Sequence, residues 1–187
     1  MSLYNQYSAL PYIPYNILKY LVENNENIWK LLKYNTYDAL SKENLTHDEK
    51  IALLWTQQDN QERYRVFLTN LLSNMIPDAT SMLRIYRIGT TPINHLLGTS
   101  VYEFDMLFGD KIAMVEYENT PCNRADVFEM ELLKTLNGKE VSGVGVLQFN
   151  QKVSVLSRSV MNIGNDKTYT GISILMAVNI GNIGNAQ

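Results

Sequence analysis

The chain has 187 residues, 45% of them hydrophobic and 19% charged, with a formal net charge of −3. This is the composition of a globular protein, and its mild acidity excludes a general nucleic-acid-binding surface while leaving room for a local basic patch. The single cysteine, Cys122, excludes an intramolecular disulfide and CxxC-type metal spacing, and no stretch approaches the roughly 20 apolar residues of a membrane helix.

Residues 1–13 are polar and tyrosine-rich, with Tyr4, Tyr7 and Tyr12 broken up by Pro11 and followed by Pro14. Residues before proline are pushed out of the helical region, so an extended N-terminal arm is expected here. It has two readings: a frayed terminus, or an arm whose aromatics anchor on a neighbouring subunit. It has neither the basic start nor the long apolar run of a signal peptide.

Residues 14–60 read as a helical segment. Pro14 suits a first helical turn, Ile17, Leu18, Leu21 and Val22 repeat at helical spacing, and Ile28, Trp29, Leu31 and Leu32 resume the pattern after NNEN. Thr46 and Glu49 make a capping-box pattern, with Ile51, Leu54 and Trp55 as the apolar side of the helix that follows. Two or three short helices are expected, ending near Thr56.

Residues 61–180 change texture. YRVFLTNLL predicts a strand, with a helix through Ile76 as the alternative, and IPDAT predicts a turn. MLRIYRI predicts a strand ended by GTTP. In VYEFDMLF, Tyr102, Phe104, Met106 and Phe108 alternate with Glu103 and Asp105, the period of a half-buried strand. IAMVEYE predicts another strand, joined through Gly109 and Asp110. Residues 124–136 predict a helix with Ala125, Phe128, Leu132 and Leu136 along one stripe, Asn123 as N-cap and Gly138 just past its end. VGVLQF, a polar stretch and YTGISILMAVNIG follow, the last placing Ile172, Ile174, Met176, Val178 and Ile180 on one face. The fold class is therefore α+β: N-terminal short helices, then a mostly antiparallel sheet with one packed helix. Residues 181–187 are expected to be a flexible tail. Its repeated NIGN suggests turns and a loose end, or alternatively a strand that adds to a neighbour's sheet edge.

Tests for chemistry find little. Gly143 and Gly145 follow a helix and lead into a strand, the reverse of a phosphate-cradling loop, and no GK[ST] accompanies them. His47 falls in the capping box and His95 in a loop, and Cys122 has no histidine beside it in sequence. Glu103 with Asp105, and Glu116 with Glu118, share strand faces and could hold a hard cation, but a solvent-facing strand surface is the simpler reading. Glu129 and Glu131 fall on different sides of their helix. Arg63, Arg65, Arg84 and Arg87, with Tyr64 and Tyr86, could contact phosphates and stack bases, against a reading as charge decoration. No catalytic residue, metal ligand or cofactor is assigned, and the chain is not expected to be an enzyme.

From Arg63 to Val178 the order is a strand, a long turn, LRIY, a loop, VYEFDMLF, then R-x-DVF-x-x-x-LLKTLNG and GVGVLQF. This order resembles the neck proteins of tailed bacteriophages, of the tail-terminator or head-completion type. In those proteins a strand pair precedes a helix with an LNG-like turn, and further strands follow. The helical segment before Thr56 departs from that pattern. The resemblance implies a structural virion protein, assembled in the host cytoplasm into a homo-oligomeric ring of six or twelve copies that joins head to tail. Its partners would be other copies, adjacent neck, portal or tail-tube proteins, and DNA passing without sequence-specific contact, with no membrane. Ring closure needs two different surfaces on each copy. Tyr4, Tyr7, Tyr12, Ile180 and Ile183, at the two ends of the chain, are the candidate interface residues. The alternatives are a monomeric adaptor from a mobile element that contacts nucleic acid through its arginines, or a metal-dependent hydrolase using Glu103 and Asp105 or Cys122 and His95.

Overall fold

The N-terminal helices form where the apolar spacing puts them. α1 (Ile13–Asn24) buries Ile13, Ile17, Leu18, Leu21 and Val22, and α2 (Asn27–Lys33) buries Ile28, Trp29, Leu31 and Leu32. Asn25 stands between them, and its Oδ1 accepts the Ile28 N–H at 2.7 Å, satisfying one of the free donors at the start of α2. α3 (His47–Ala52) carries the expected capping box. Thr46 Oγ1 accepts from the Glu49 N–H, and Glu49 Oε2 accepts from the Thr46 N–H at 2.9 Å. Lys50 is buried and ties α3 back to the other two helices, with its ammonium 2.6 Å from Glu26 Oε2 and donating to the Val22 carbonyl at 3.1 Å.

The computed structural model describes residues 8–56, 61–70, 80–93, 97–149, 158–163 and 169–181. Tyr4, Tyr7 and Ile183, and with them most of the expected arm and nearly all of the tail, lie outside the described residues. The part of the arm that is described is not extended. A 3-10 turn at Leu10–Tyr12 runs straight into α1, because Pro11 and Pro14 both sit in opening turns, where a missing N–H costs nothing.

The strands are β1 (Val66–Phe67), β2 (Ser81–Pro92), β3 (Leu97–Gly109), β4 (Met114–Tyr117), β5 (Thr120–Asn123), β6 (Glu140–Val141), β7 (Gly145–Gln148), β8 (Arg158–Ile163) and β9 (Tyr169–Gly181). The main sheet runs β1-β2-β3-β9-β7-β6, with β8 also paired to β9. Its pairs are antiparallel except for β1 beside β2. The sheet is therefore mostly antiparallel, and its long members meet across the whole intervening chain, as in the row Ile85, Phe104, Ile174. One face of these strands joins α1, α2 and α4 (Arg124–Leu136) in the main core, where Tyr102, Phe104, Met106, Ile172, Ile174, Met176 and Val178 are all buried. α4 matches its prediction, with Asn123 Oδ1 accepting the Ala125 N–H at 2.8 Å and Gly138 at φ 71° beyond its end.

Several details differ from expectation. β2 does not stop at GTTP: an irregularity between Arg87 and Gly89 shifts the register, and pairing then resumes from Gly89–Val101 to Pro92–Gly98. Of YRVFLTNLL, only Val66–Phe67 is strand among the described residues, while Leu71, Leu72 and the alternative helix through Ile76 lie outside them. The IAMVEYE strand leaves the main sheet, because the 3-10 turn at Asp110–Ile112 redirects the chain and β4 pairs with β5 instead. The turn of that hairpin holds Glu118 and Asn119 at φ 50° and 61°, a left-handed pair without the glycine that usually announces it. Gly143, in the turn between β6 and β7, and Gly145, the first residue of β7, are also at positive φ.

The largest correction concerns Asp105. Its side of β3 was expected to face solvent, yet Asp105 and Leu107 are buried there. The segment before β1 folds over that face, held by Trp55 N–H to Val66 O (2.9 Å) and Val66 N–H to Leu53 O (3.0 Å). Phe67, Met82 and Leu107 then form a second small core beneath Trp55 and Tyr64.

Candidate functional site

Beyond this small core the same face carries a polar row. Register alignment places Arg84 of β2, Asp105 of β3 and Ser173 of β9 side by side, with Tyr86 and Glu103 in the next row. Arg84 NH2 lies 2.5 Å from Asp105 Oδ2, the Tyr86 hydroxyl donates to the same oxygen at 2.8 Å, and Arg84 NH1 donates to the Asn70 carbonyl at 3.1 Å. The guanidinium also sits 5.7 Å from the centre of the Tyr86 ring, and Ser173 Oγ donates to Glu103 Oε1. Burial, then the bond to and the charge of Asp105, push the Tyr86 hydroxyl far above the ordinary phenol range. It therefore stays protonated and serves as a donor. The arrangement fastens β2, β3 and β9 together through Asp105 Oδ2 and Glu103, while Asp105 Oδ1 and Arg84 Nε are buried without a hydrogen-bond partner among the described residues.

A second cluster centres on Arg124, the first residue of α4 and fully buried. Its guanidinium donates to the carbonyls of Ile112 (2.7 Å), Leu31 (2.9 Å), Tyr34 (3.2 Å) and Thr36 (2.9 Å). It thus satisfies carbonyls around the end of α2, where intrahelical donors run out. Burial lowers its pKa to about 10, which leaves it charged at neutral pH.

The third cluster lines a groove of about 370 Å³ between the α1–α2 turn and α4. Glu131, only 2% exposed, accepts from Asn25 Nδ2 at 2.9 Å and from Asn27 Nδ2 at 3.0 Å. Asn25 also donates to Thr135 Oγ1 at 2.8 Å. Tyr20, Lys134 and Lys139 complete the rim. Each oxygen of the buried carboxylate accepts from a neutral amide, so the network joins the α1–α2 turn to α4.

The residues singled out from sequence scatter over the molecule. Cys122 is half-buried on β5, His47 is exposed at the start of α3, and His95 lies outside the described residues. Glu116 is half-buried on β4 while Glu118 falls in the turn, so they do not form a strand-face pair. Glu129 is half-buried and Glu131 buried. Arg63 and Arg87 are exposed, whereas Arg84 is committed to Asp105, which splits the expected basic cluster. Tyr12 is 66% exposed, but Ile180 is 6% exposed and packs in the chain's own core, so its side chain is not offered at the surface. Among the described residues, no group of three or more His, Cys, Asp or Glu side chains is placed to hold a metal ion. No helix is long and apolar enough to cross a membrane, among the described residues.

The sequence singles out neither Arg124 nor Thr135, and weighs Glu131 only against Glu129, although a signal exists. Residues 124, 128, 131 and 135 follow helical spacing through the apolar Phe128, so the buried face of α4 is wider than its hydrophobic stripe. No curated protein matches the chain. A comparison with protein families matches residues 25–178 to the family described as YomW, a span from the α1–α2 turn to β9 that includes the three polar clusters except the rim residue Tyr20. On that match the chain belongs to the YomW family.

Proposed function

We propose that this chain is a non-catalytic structural subunit of a tailed-phage neck, assembling with copies of itself into a ring that joins head to tail around the DNA channel. The order of elements supports this reading most directly. The long β2–β3 pair precedes α4, α4 ends in the Asn137–Gly138 turn, and β6 to β9 then complete the sheet, the order in the neck proteins that the sequence resembles. The polar clusters agree with a structural role, because the hydrogen bonds of Asp105 Oδ2, Arg124 and Glu131 all join one element to another. Ile88 on β2 and Ile93 just past its end, 49% and 61% exposed, offer apolar surface for association. A nucleic-acid-contacting adaptor fits less well, since Arg84 is withdrawn into its pair with Asp105.

The test is the mass of the purified protein across a concentration series, by native mass spectrometry or light scattering, with negative-stain images. Discrete sixfold or twelvefold masses and ring-shaped particles are expected. A monomer at every concentration, both alone and when mixed with adjacent neck or portal proteins, would overturn the reading.

A further inference from the structure

We draw no further inference here: the strongest candidate, the outer edge of β2 from Tyr86 to Pro92 with the exposed Ile88 on it and Ile93 just past its end, carries nothing because nothing in the structure shows what covers it.

Discussion

Asp105 on β3 and Arg84 on β2 face each other with 2.5 Å between Oδ2 and NH2, and the carboxylate is completely buried. Removing one partner strands the other charge in the interior, so Asp105→Ala is expected to cost about 3–5 kcal/mol. Replacing both with apolar groups of similar size removes the pair together with its desolvation penalty, so the double variant Arg84→Met/Asp105→Leu should recover most of that loss. Urea midpoints of the two variants decide the matter. A double variant as unstable as Asp105→Ala would mean that the hydrogen bonds to Tyr86 and Asn70, rather than the charge balance, hold this face together.

Arg124 makes a different kind of bond. Its donors reach carbonyls of Leu31, Tyr34, Thr36 and Ile112, a spread that a lysine ammonium cannot span. Arg124→Lys should therefore destabilise the chain nearly as much as Arg124→Met, by about 3 kcal/mol or more, because buried carbonyls lose their donors in both. The pH dependence follows from the direction of the shift. The native guanidinium has its pKa lowered by burial from its ordinary value to about 10, so the native state gives up the proton first. Stability arising from this group would rise with pH only inside that interval and stay constant below it. The gap between wild type and Arg124→Met should accordingly be flat from about pH 6 to 9. A gap that varies strongly there would require another titrating group coupled to this site.

These two residues also show what the sequence made legible and what it did not. Apolar periodicity located α1, α2 and α4 and the buried face of β9, since burial of one stripe or one face is a local pattern. The capping box at Thr46 and Glu49 and the N-cap at Asn123 are equally local, and both are present. Asp105 defeated the same logic. Alternation along β3 identifies two faces, but whether the second face meets water depends on Trp55 and Tyr64, which pack over it and lie beside hydrogen bonds, such as Trp55 N–H to Val66 O, that no spacing encodes. The β4–β5 hairpin was missed for want of a glycine at Glu118 and Asn119. Arg124 was missed because a charged residue beside an N-cap is ordinarily solvated.

Two glycines in the sheet should respond in opposite ways. A Cβ at Gly171 would run into the backbone carbonyl of Met106 and the Leu107 side chain, which forces β9 away from β3. Gly171→Ala is expected to cost about 2–3 kcal/mol, as for other overpacked sites. At Gly89 a Cβ meets nothing within 4 Å and the backbone is not left-handed. Gly89→Ala should be neutral or stabilise by about 0.4–1 kcal/mol through a less flexible unfolded chain. Thermal melts of the two variants give the comparison, and equal losses in both would show that the close approach of β9 to β3 is not limiting.

The capping box predicts an acid-sensitive contribution. The Thr46 backbone N–H, then its hydroxyl, hold the Glu49 carboxyl below its ordinary value of 4.5. A lowered carboxyl pKa contributes stability that is present above 4.5 and is lost as pH falls through the native value. Glu49→Gln keeps the hydrogen-bonding shape without the charge. The urea midpoint of wild type should exceed that of Glu49→Gln at neutral pH, and the two should converge in acid. An equal gap at both pH values would mean that the charge of Glu49 plays no part.

Truncation at the C-terminus separates folding from assembly. β9 continues through Gly181, and Ile180 is paired with Gly98 and packed in the main core. Deleting Asn179–Gln187 therefore removes a core side chain along with the end of a central strand, and a loss of about 2–5 kcal/mol is expected from Ile180 alone. Deleting only Asn182–Gln187 leaves that strand and its pairing complete. The shorter deletion should keep the wild-type circular dichroism spectrum and melting temperature, so any change in its oligomeric mass reports on assembly alone. If it melts as early as the longer deletion, the last six residues contribute to the fold itself and β9 is not the end of the core.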